Sequence, residues 1–66
     1  MTVAMPPNPT GLDLKLRRIA AGVTATALAA ELGVGRTAVT NAEREFRPSP
    51  YRVRVYLAAL ERLATQ

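Results

Sequence analysis

The segment from Arg36 to Arg44 carries the side chains of this sequence that are best suited to recognising a ligand. If the segment is helical, one arc of about 140° holds five polar side chains, namely those of Arg36, Thr37, Thr40, Asn41 and Arg44. Arg can bond O6 and N7 of guanine together, Asn can bond adenine in the same manner, and the Thr methyl group can contact thymine. No carboxylate lies inside the arc, so this face suits insertion into the major groove of DNA; the alternative is an ordinary solvated polar face.

The rest of the inventory argues against catalysis. The chain has 66 residues, with no His, no Cys and only five carboxylates. The usual general base, the usual metal ligands and disulfides are therefore missing, and we expect no enzyme activity, no metal and no cofactor. The sequence shows no small-molecule site. A formal net charge of +4 favours a polyanionic partner, although an ordinary basic protein has a similar balance.

The length allows one small domain. Residues 1–9 contain three of the five prolines and no charged side chain, which predicts a flexible N-terminal arm followed by one domain over residues 10–66. No apolar run approaches the length of a membrane span, and no signal-peptide core is present, so we expect a cytoplasmic protein.

Four helices can be placed around the recognition segment. Thr10 and Asp13 have the spacing of a capping box, which predicts a first helix from Gly11 to about Ala21. On this helix Leu12, Leu16 and Ile19 lie at helical spacing, whereas Leu14 lies nearer Arg18 and Ala21. Thr24 is the predicted N-cap of a second helix, which ends at Gly33. Gly35 then precedes the third helix, from Arg36 to about Arg44.

The last helix begins with Ser49 as N-cap and Pro50 at its first position. Its core-facing stripe is predicted to comprise Val53, Tyr56, Leu57, Leu60 and Leu63. A second, weaker stripe comprises Tyr51, Val55, Ala58, Ala59 and Arg62. Two apolar faces need two partners, and the second stripe is therefore predicted to lie at or near the contact of a homodimer that forms at least on DNA.

The spacing of Ala29, Gly33, Val34 and Val39 resembles the helix-turn-helix of the Cro/CI-type (XRE) repressor family, in a short phage-like form. Arg18-Ile19-Ala20-Ala21-Gly22 is similar to the family's Arg-Ile/Leu-x-x-Gly, and Glu43 matches the family's Glu near the end of the third helix. The resemblance implies an all-α fold of four helices, or five if the last one breaks. It also implies a structural ion pair between Arg18 and Glu43.

The function implied by this resemblance is sequence-specific binding of double-stranded DNA by a small transcriptional regulator, a repressor or Cro-like protein. Base contacts would come from Arg36, Thr37, Thr40 and Asn41, and phosphate contacts from Thr24, Thr26, Arg44 and Arg47. Three residues depart from the common family pattern: Ala25, Gly35 and Glu45. Two other functions stay open, a protein-binding antitoxin or phage-encoded inhibitor that uses the outer face of the last helix, and an architectural DNA binder.

Overall fold

A computed structural model of the protein describes residues 9–65, and this part of the chain consists of four α-helices. They are α1 (Gly11–Ala20), α2 (Ala25–Leu32), α3 (Arg36–Arg44) and α4 (Pro50–Ala64). α1 and α2 each pack against both α3 and α4. The predicted all-α class is confirmed, and the last helix is unbroken. None of the helices within residues 9–65 is long and apolar enough to cross a membrane.

The starts of α1, α2 and α4 are fixed by short-range hydrogen bonds to side chains. The Thr10 hydroxyl accepts from the backbone N–H of Asp13 at 3.1 Å, and the Asp13 carboxylate accepts from the Thr10 N–H at 2.8 Å, which completes the predicted capping box. Thr24 and Ser49 cap α2 and α4 in the same way, each with its side-chain oxygen accepting a first-turn N–H. Gly33 ends α2 with a φ of +71°, a left-handed conformation that favours glycine.

The core lies where the four helices meet. It consists of Leu14, Leu28, Ala29, Val39, Tyr56, Ala59 and Leu60. Val53, Leu57 and Leu63 are partly buried against it, so the predicted core stripe of α4 is confirmed. The assignment of Ala59 to the outer stripe is wrong, because its side chain is completely buried. Ala59 follows Tyr56 by three residues and precedes Leu60, which places it on the inward side of α4.

The inward face of α1 is formed by Gly11, Leu14 and Arg18. The three aliphatic residues at helical spacing on this helix do not form it. Leu14 is fully buried, whereas Leu12, Leu16 and Ile19 are each more than half exposed. The two faces lie about 130° apart around the helix. The inward one is selected because Gly11 allows close approach to α3 and because Arg18 meets a carboxylate on α3.

Gly11 lies at the closest approach between α1 and α3. Its backbone N–H donates to the carbonyl of Glu45 at 2.7 Å. A Cβ atom at this position would lie 2.5 Å from the Ala42 carbonyl oxygen and 2.5 Å from the Glu43 carbonyl carbon. These neighbours are backbone atoms, so they can move only if the two helices separate. The absence of a side chain at Gly11 therefore sets the distance between α1 and α3.

We expect Gly11→Ala to lower the free energy of unfolding by about 1–3 kcal/mol, because the added methyl group overpacks a rigid contact. Urea denaturation of the variant and the wild type measures the change. Gly35→Ser is the matched control, since nothing lies within 4 Å of a Cβ built at Gly35 and Ser is a favourable N-cap residue. Equal midpoints for Gly11→Ala and the wild type would contradict the close approach.

The predicted N-terminal arm falls almost entirely outside the described residues, which begin at Pro9. Pro9 itself is buried and lines a groove together with Pro48 and Val53. It therefore belongs to the packed domain and not to the arm.

Candidate nucleic-acid interface

α3 has one side buried in the domain and the other open. Val39 is 2% exposed and Glu43 is 8% exposed, so these two residues face inward. The predicted base-contacting side chains occupy the opposite side, where Arg36, Thr37, Asn41 and Arg44 are exposed. Thr40 lies at the edge, half-buried, and its hydroxyl donates to the Thr37 carbonyl at 3.1 Å. The open side is wide enough to present several side chains to one ligand.

The open side of α3 is positively charged. Three ion pairs occur within residues 9–65 and involve Arg18, Arg52 and Arg62. Neither Arg36 nor Arg44 takes part in these pairs, so both guanidinium groups on α3 lack a carboxylate partner in this part of the chain. Arg36 lies in the first turn, directly after Gly35, which provides no side-chain cap. The surface can therefore attract an anion without first breaking an internal salt bridge.

Further polar groups flank α3 on the preceding helix and the following loop. Thr24 and Thr26 are exposed at the start of α2, and the Thr24 hydroxyl accepts from the Ala27 N–H at 3.0 Å. Arg47 is exposed in the loop after α3, with its guanidinium carbon 5.4 Å from the centre of the Phe46 ring. Thr24 thus has a capping role in addition to any contact with a ligand.

The inward side of α3 is anchored by an ion pair with α1. Arg18 Nε donates to Glu43 Oε2 at 2.8 Å, and Arg18 Nη2 donates to Oε1 at 3.3 Å. Arg18 Nη1 also donates to the Val23 carbonyl at 2.9 Å, between α1 and α2. The two side chains are only 11% and 4% exposed. The ion pair that the resemblance implied is present, and it ties α1 to α3 and to the start of the α2–α3 unit.

Tyr56 extends this contact to α4, which sequence reasoning did not anticipate. Its hydroxyl donates to Glu43 Oε2 at 2.5 Å and also lies 3.2 Å from the Leu14 carbonyl oxygen. A buried Tyr nearly always has a partner for its hydroxyl, so the placement of Tyr56 in a core stripe was the available signal. Arg18, Glu43 and Tyr56 together form the inner polar cluster of the domain.

The inner polar cluster shifts the pKa values of its members. Burial raises the pKa of Glu43, but hydrogen bonds from Arg18 and Tyr56 outweigh it, and the pKa of this carboxyl is lowered overall. The hydrogen bond with Glu43 raises the pKa of Arg18. Burial and the neighbouring carboxylate raise the pKa of Tyr56 well above its usual value. At neutral pH the cluster therefore contains a carboxylate, a guanidinium and a neutral phenol.

The helix-turn-helix family matches residues 14–63, which is more than half of the chain and includes all of α2, α3 and the inner polar cluster. The chain belongs to the XRE-type helix-turn-helix family. Comparison with curated proteins and with solved structures found no match. Members of this family are DNA-binding transcription regulators, so this XRE-type protein is a DNA-binding transcription regulator.

Beside α3 of this XRE-type protein lies an open apolar groove of about 530 Å³. It separates α3 from the outer side of α4, and its lining includes Val34, Ala38, Tyr51 and Val55. Val34 is 46% exposed and Tyr51 is 68% exposed. We call this feature the α3–α4 groove. Two members of the predicted outer stripe, Tyr51 and Val55, thus lie beside apolar residues of the helix-turn-helix.

The remaining members of the outer stripe are differently placed. Ala58 is exposed on α4, and Ala59 belongs to the core as described above. Arg62 Nε donates to the Glu31 carboxylate of α2 at 2.8 Å, so its charge is already partnered within the chain. The apolar part of the predicted dimer surface is therefore concentrated near the start of α4, next to the turn of the helix-turn-helix. Within residues 9–65 no cluster of metal-ligating side chains occurs.

Proposed function

We propose that this protein binds a specific duplex sequence as a small repressor or Cro-like regulator. The open side of α3 enters the major groove, and Arg36, Thr37 and Asn41 contact base edges, with Thr40 at the margin through its methyl group. The observation that carries the proposal is the division of α3 into an anchored inner side and an exposed, carboxylate-free outer side.

The flanking groups are proposed to contact phosphates on either side of the recognition helix. Thr24 and Thr26 lie at the start of α2, where hydroxyl and backbone N–H groups suit an anion. Arg44 and Arg47 lie at the end of α3 and in the following loop. Such contacts add affinity without reading sequence, and they make binding weaken as the salt concentration rises.

Two copies are proposed to bind together, because one domain of this size contacts too few bases to discriminate against a genome of competing sites. The α3–α4 groove supports this arrangement, since Val34, Tyr51 and Val55 present apolar surface directly beside the recognition helix. A two-fold axis near the groove would place two recognition helices in successive major grooves, about 34 Å apart.

Selection of bound molecules from a random duplex library tests the proposed function. We expect an enriched motif with two-fold symmetry and half-sites about one helical turn apart. Enrichment of a single asymmetric site would contradict the dimer but not the sequence recognition. Binding that weakens with salt and enriches no motif would instead indicate an architectural DNA binder.

We expect Arg36→Ala to weaken binding to the enriched sequence by about 1–3 kcal/mol, because one bidentate contact with a base is lost. Binding to random duplex should change little, and titration of both duplexes at one salt concentration measures the difference. Arg54→Ala is the charge-matched control, since Arg54 is exposed on α4 and lies outside the recognition face. An equal loss on both duplexes would reassign Arg36 to a phosphate contact.

A second candidate function follows from the same groove. Exposed Tyr51 and Val34 also suit a foreign protein, so we propose as the alternative an antitoxin-like or inhibitor module that binds through the outer side of α4. Titration with duplex DNA at low and high salt separates the two functions, because a pure protein-binding module shows no salt-dependent affinity for DNA.

A further inference from the structure

The outer face of α1 is an apolar stripe for which the folded chain provides no cover within residues 9–65. It consists of Leu12, Leu16 and Ile19, which are 58%, 55% and 54% exposed. Their spacing of four and three residues places them in one row along the helix. Scattered apolar residues on a surface are ordinary, but a contiguous row of large aliphatic side chains marks an interaction site. We call this row the α1 stripe.

The α1 stripe is separate from the two surfaces used by the proposed function. α1 contacts α3 and α4 through its opposite side, where Leu14 and Gly11 are buried. The lining of the α3–α4 groove contains no residue of α1. Occupation of the DNA-binding side of α3, or of the groove, therefore leaves the α1 stripe uncovered.

We propose that the α1 stripe is a contact between neighbouring copies of this chain bound side by side on DNA. The occupant is a second copy because the stripe is too small to hold a partner by itself. The stripe contains three side chains, whereas a stable interface contains about 20–30 residues on each side. DNA that holds two copies next to each other converts the contact into an intramolecular one, at an effective concentration of about millimolar. This inference rests on the proposed function.

A two-fold contact between antiparallel α1 helices fits the composition of the stripe. Leu16 then meets the same residue of the second copy, and Leu12 meets Ile19. Lys15 is exposed at the edge of the row, so the contact brings two ammonium groups to one edge and their repulsion weakens it in free solution. Salt screens this repulsion while it weakens DNA binding. The two interactions therefore respond to salt in opposite directions.

Titration of duplexes of two lengths tests the inference without knowledge of an operator. A random-sequence duplex of about 20 base pairs holds one footprint, whereas one of about 60 base pairs holds several side by side. We expect the wild type to bind the longer duplex with a steeper curve and an affinity per site higher by about fivefold or more. Leu16→Gln should abolish this difference and leave both the affinity for the short duplex and the melting temperature unchanged.

The variant is chosen because Gln matches Leu in helix propensity and adds no charge. Ala64→Gln is the control, since Ala64 is exposed near the end of α4. Retention of length-dependent cooperativity in Leu16→Gln would overturn the inference. Loss of the free dimer by Leu16→Gln in sedimentation without DNA would also overturn the inference, because the α1 stripe would then be the dimer interface in solution. If the wild type binds neither duplex, both the proposed function and the inference that rests on it are wrong.

Discussion

Glu43→Ala is expected to lower the free energy of unfolding by about 3–5 kcal/mol, the cost of breaking a buried ion pair by removing one partner. The substitution leaves the Arg18 guanidinium, in a side chain only 11% exposed, without its counter-ion. It also removes the nearer of the two acceptors of the Tyr56 hydroxyl, the other being the Leu14 carbonyl. Such a loss is comparable to the whole stability of a small domain, so the variant should be largely unfolded at 37 °C.

Urea and thermal denaturation of Glu43→Ala and Glu61→Ala provide the comparison. Glu61 is exposed on α4 and takes no part in the three ion pairs, so its replacement should change stability by only a few tenths of a kcal/mol. Similar midpoints for the two variants would mean that the inner polar cluster contributes no net stability.

The pH dependence of unfolding gives a second readout for the same carboxyl. The pKa of Glu43 is lower in the folded chain than its usual value of 4.5, so the unfolded chain binds more protons in acid. Its contribution to stability is therefore fully present above about pH 4.5 and is lost as the pH falls through the lowered value. We expect the wild type to lose stability below pH 4.5 more steeply than Glu43→Ala.

Val55→Asp is expected to weaken self-association by about 100-fold or more. In the proposed dimer, two-fold symmetry places the substituted residue of both copies in one interface, so two carboxylates lose water and repel each other. The fold should survive, because Val55 is only half-buried within a single chain and borders the open α3–α4 groove. Sedimentation measures association, and titration of the enriched duplex measures the loss of cooperative binding.

Ala64→Asp is the charge-matched control for this prediction, since Ala64 is exposed at the end of α4 and does not line the groove. It should associate like the wild type. Unchanged association in Val55→Asp, with circular dichroism showing an intact fold, would place the dimer contact elsewhere or remove it.

The helices and the two sides of α3 could be predicted because their signals are local. Thr10 with Asp13, and Ser49 with Arg52, mark helix starts through hydrogen bonds that span only three residues. Gly33 marks the turn through its own backbone conformation. Arg36 to Arg44 has one polar and one apolar side, so its orientation is contained in the segment itself.

The inward face of α1 could not be predicted from periodicity, because this helix has two candidate faces. Leu14 is chosen over Leu16 by contacts with distant residues, namely the close approach at Gly11 and the ion pair of Arg18 with Glu43, which lies 25 residues away. Composition and spacing alone do not identify the pair of Arg18 with Glu43. It was predicted only from the resemblance to the family.

On α4, too, the sequence pattern alone does not predict the surroundings of Ala59 and Tyr56. An Ala side chain is small enough for either side of a helix, so the pattern assigned Ala59 to the outer stripe although it is buried. The Tyr56 hydroxyl finds its acceptor 13 residues earlier in the chain, and only the packed arrangement of α1, α3 and α4 brings the two groups together.

The division of α3 into two sides has a consequence for how binding preferences change over evolution. Val39 and Glu43 hold the helix in place, whereas Arg36, Thr37 and Asn41 make no contribution to the core. Mutations at the outer positions can therefore accumulate at little cost in stability. Under the proposed base contacts, a descendant acquires a new target sequence in this way while it keeps the same scaffold. Drift at the inner positions is restricted, because Glu43 is bonded to two other helices at once.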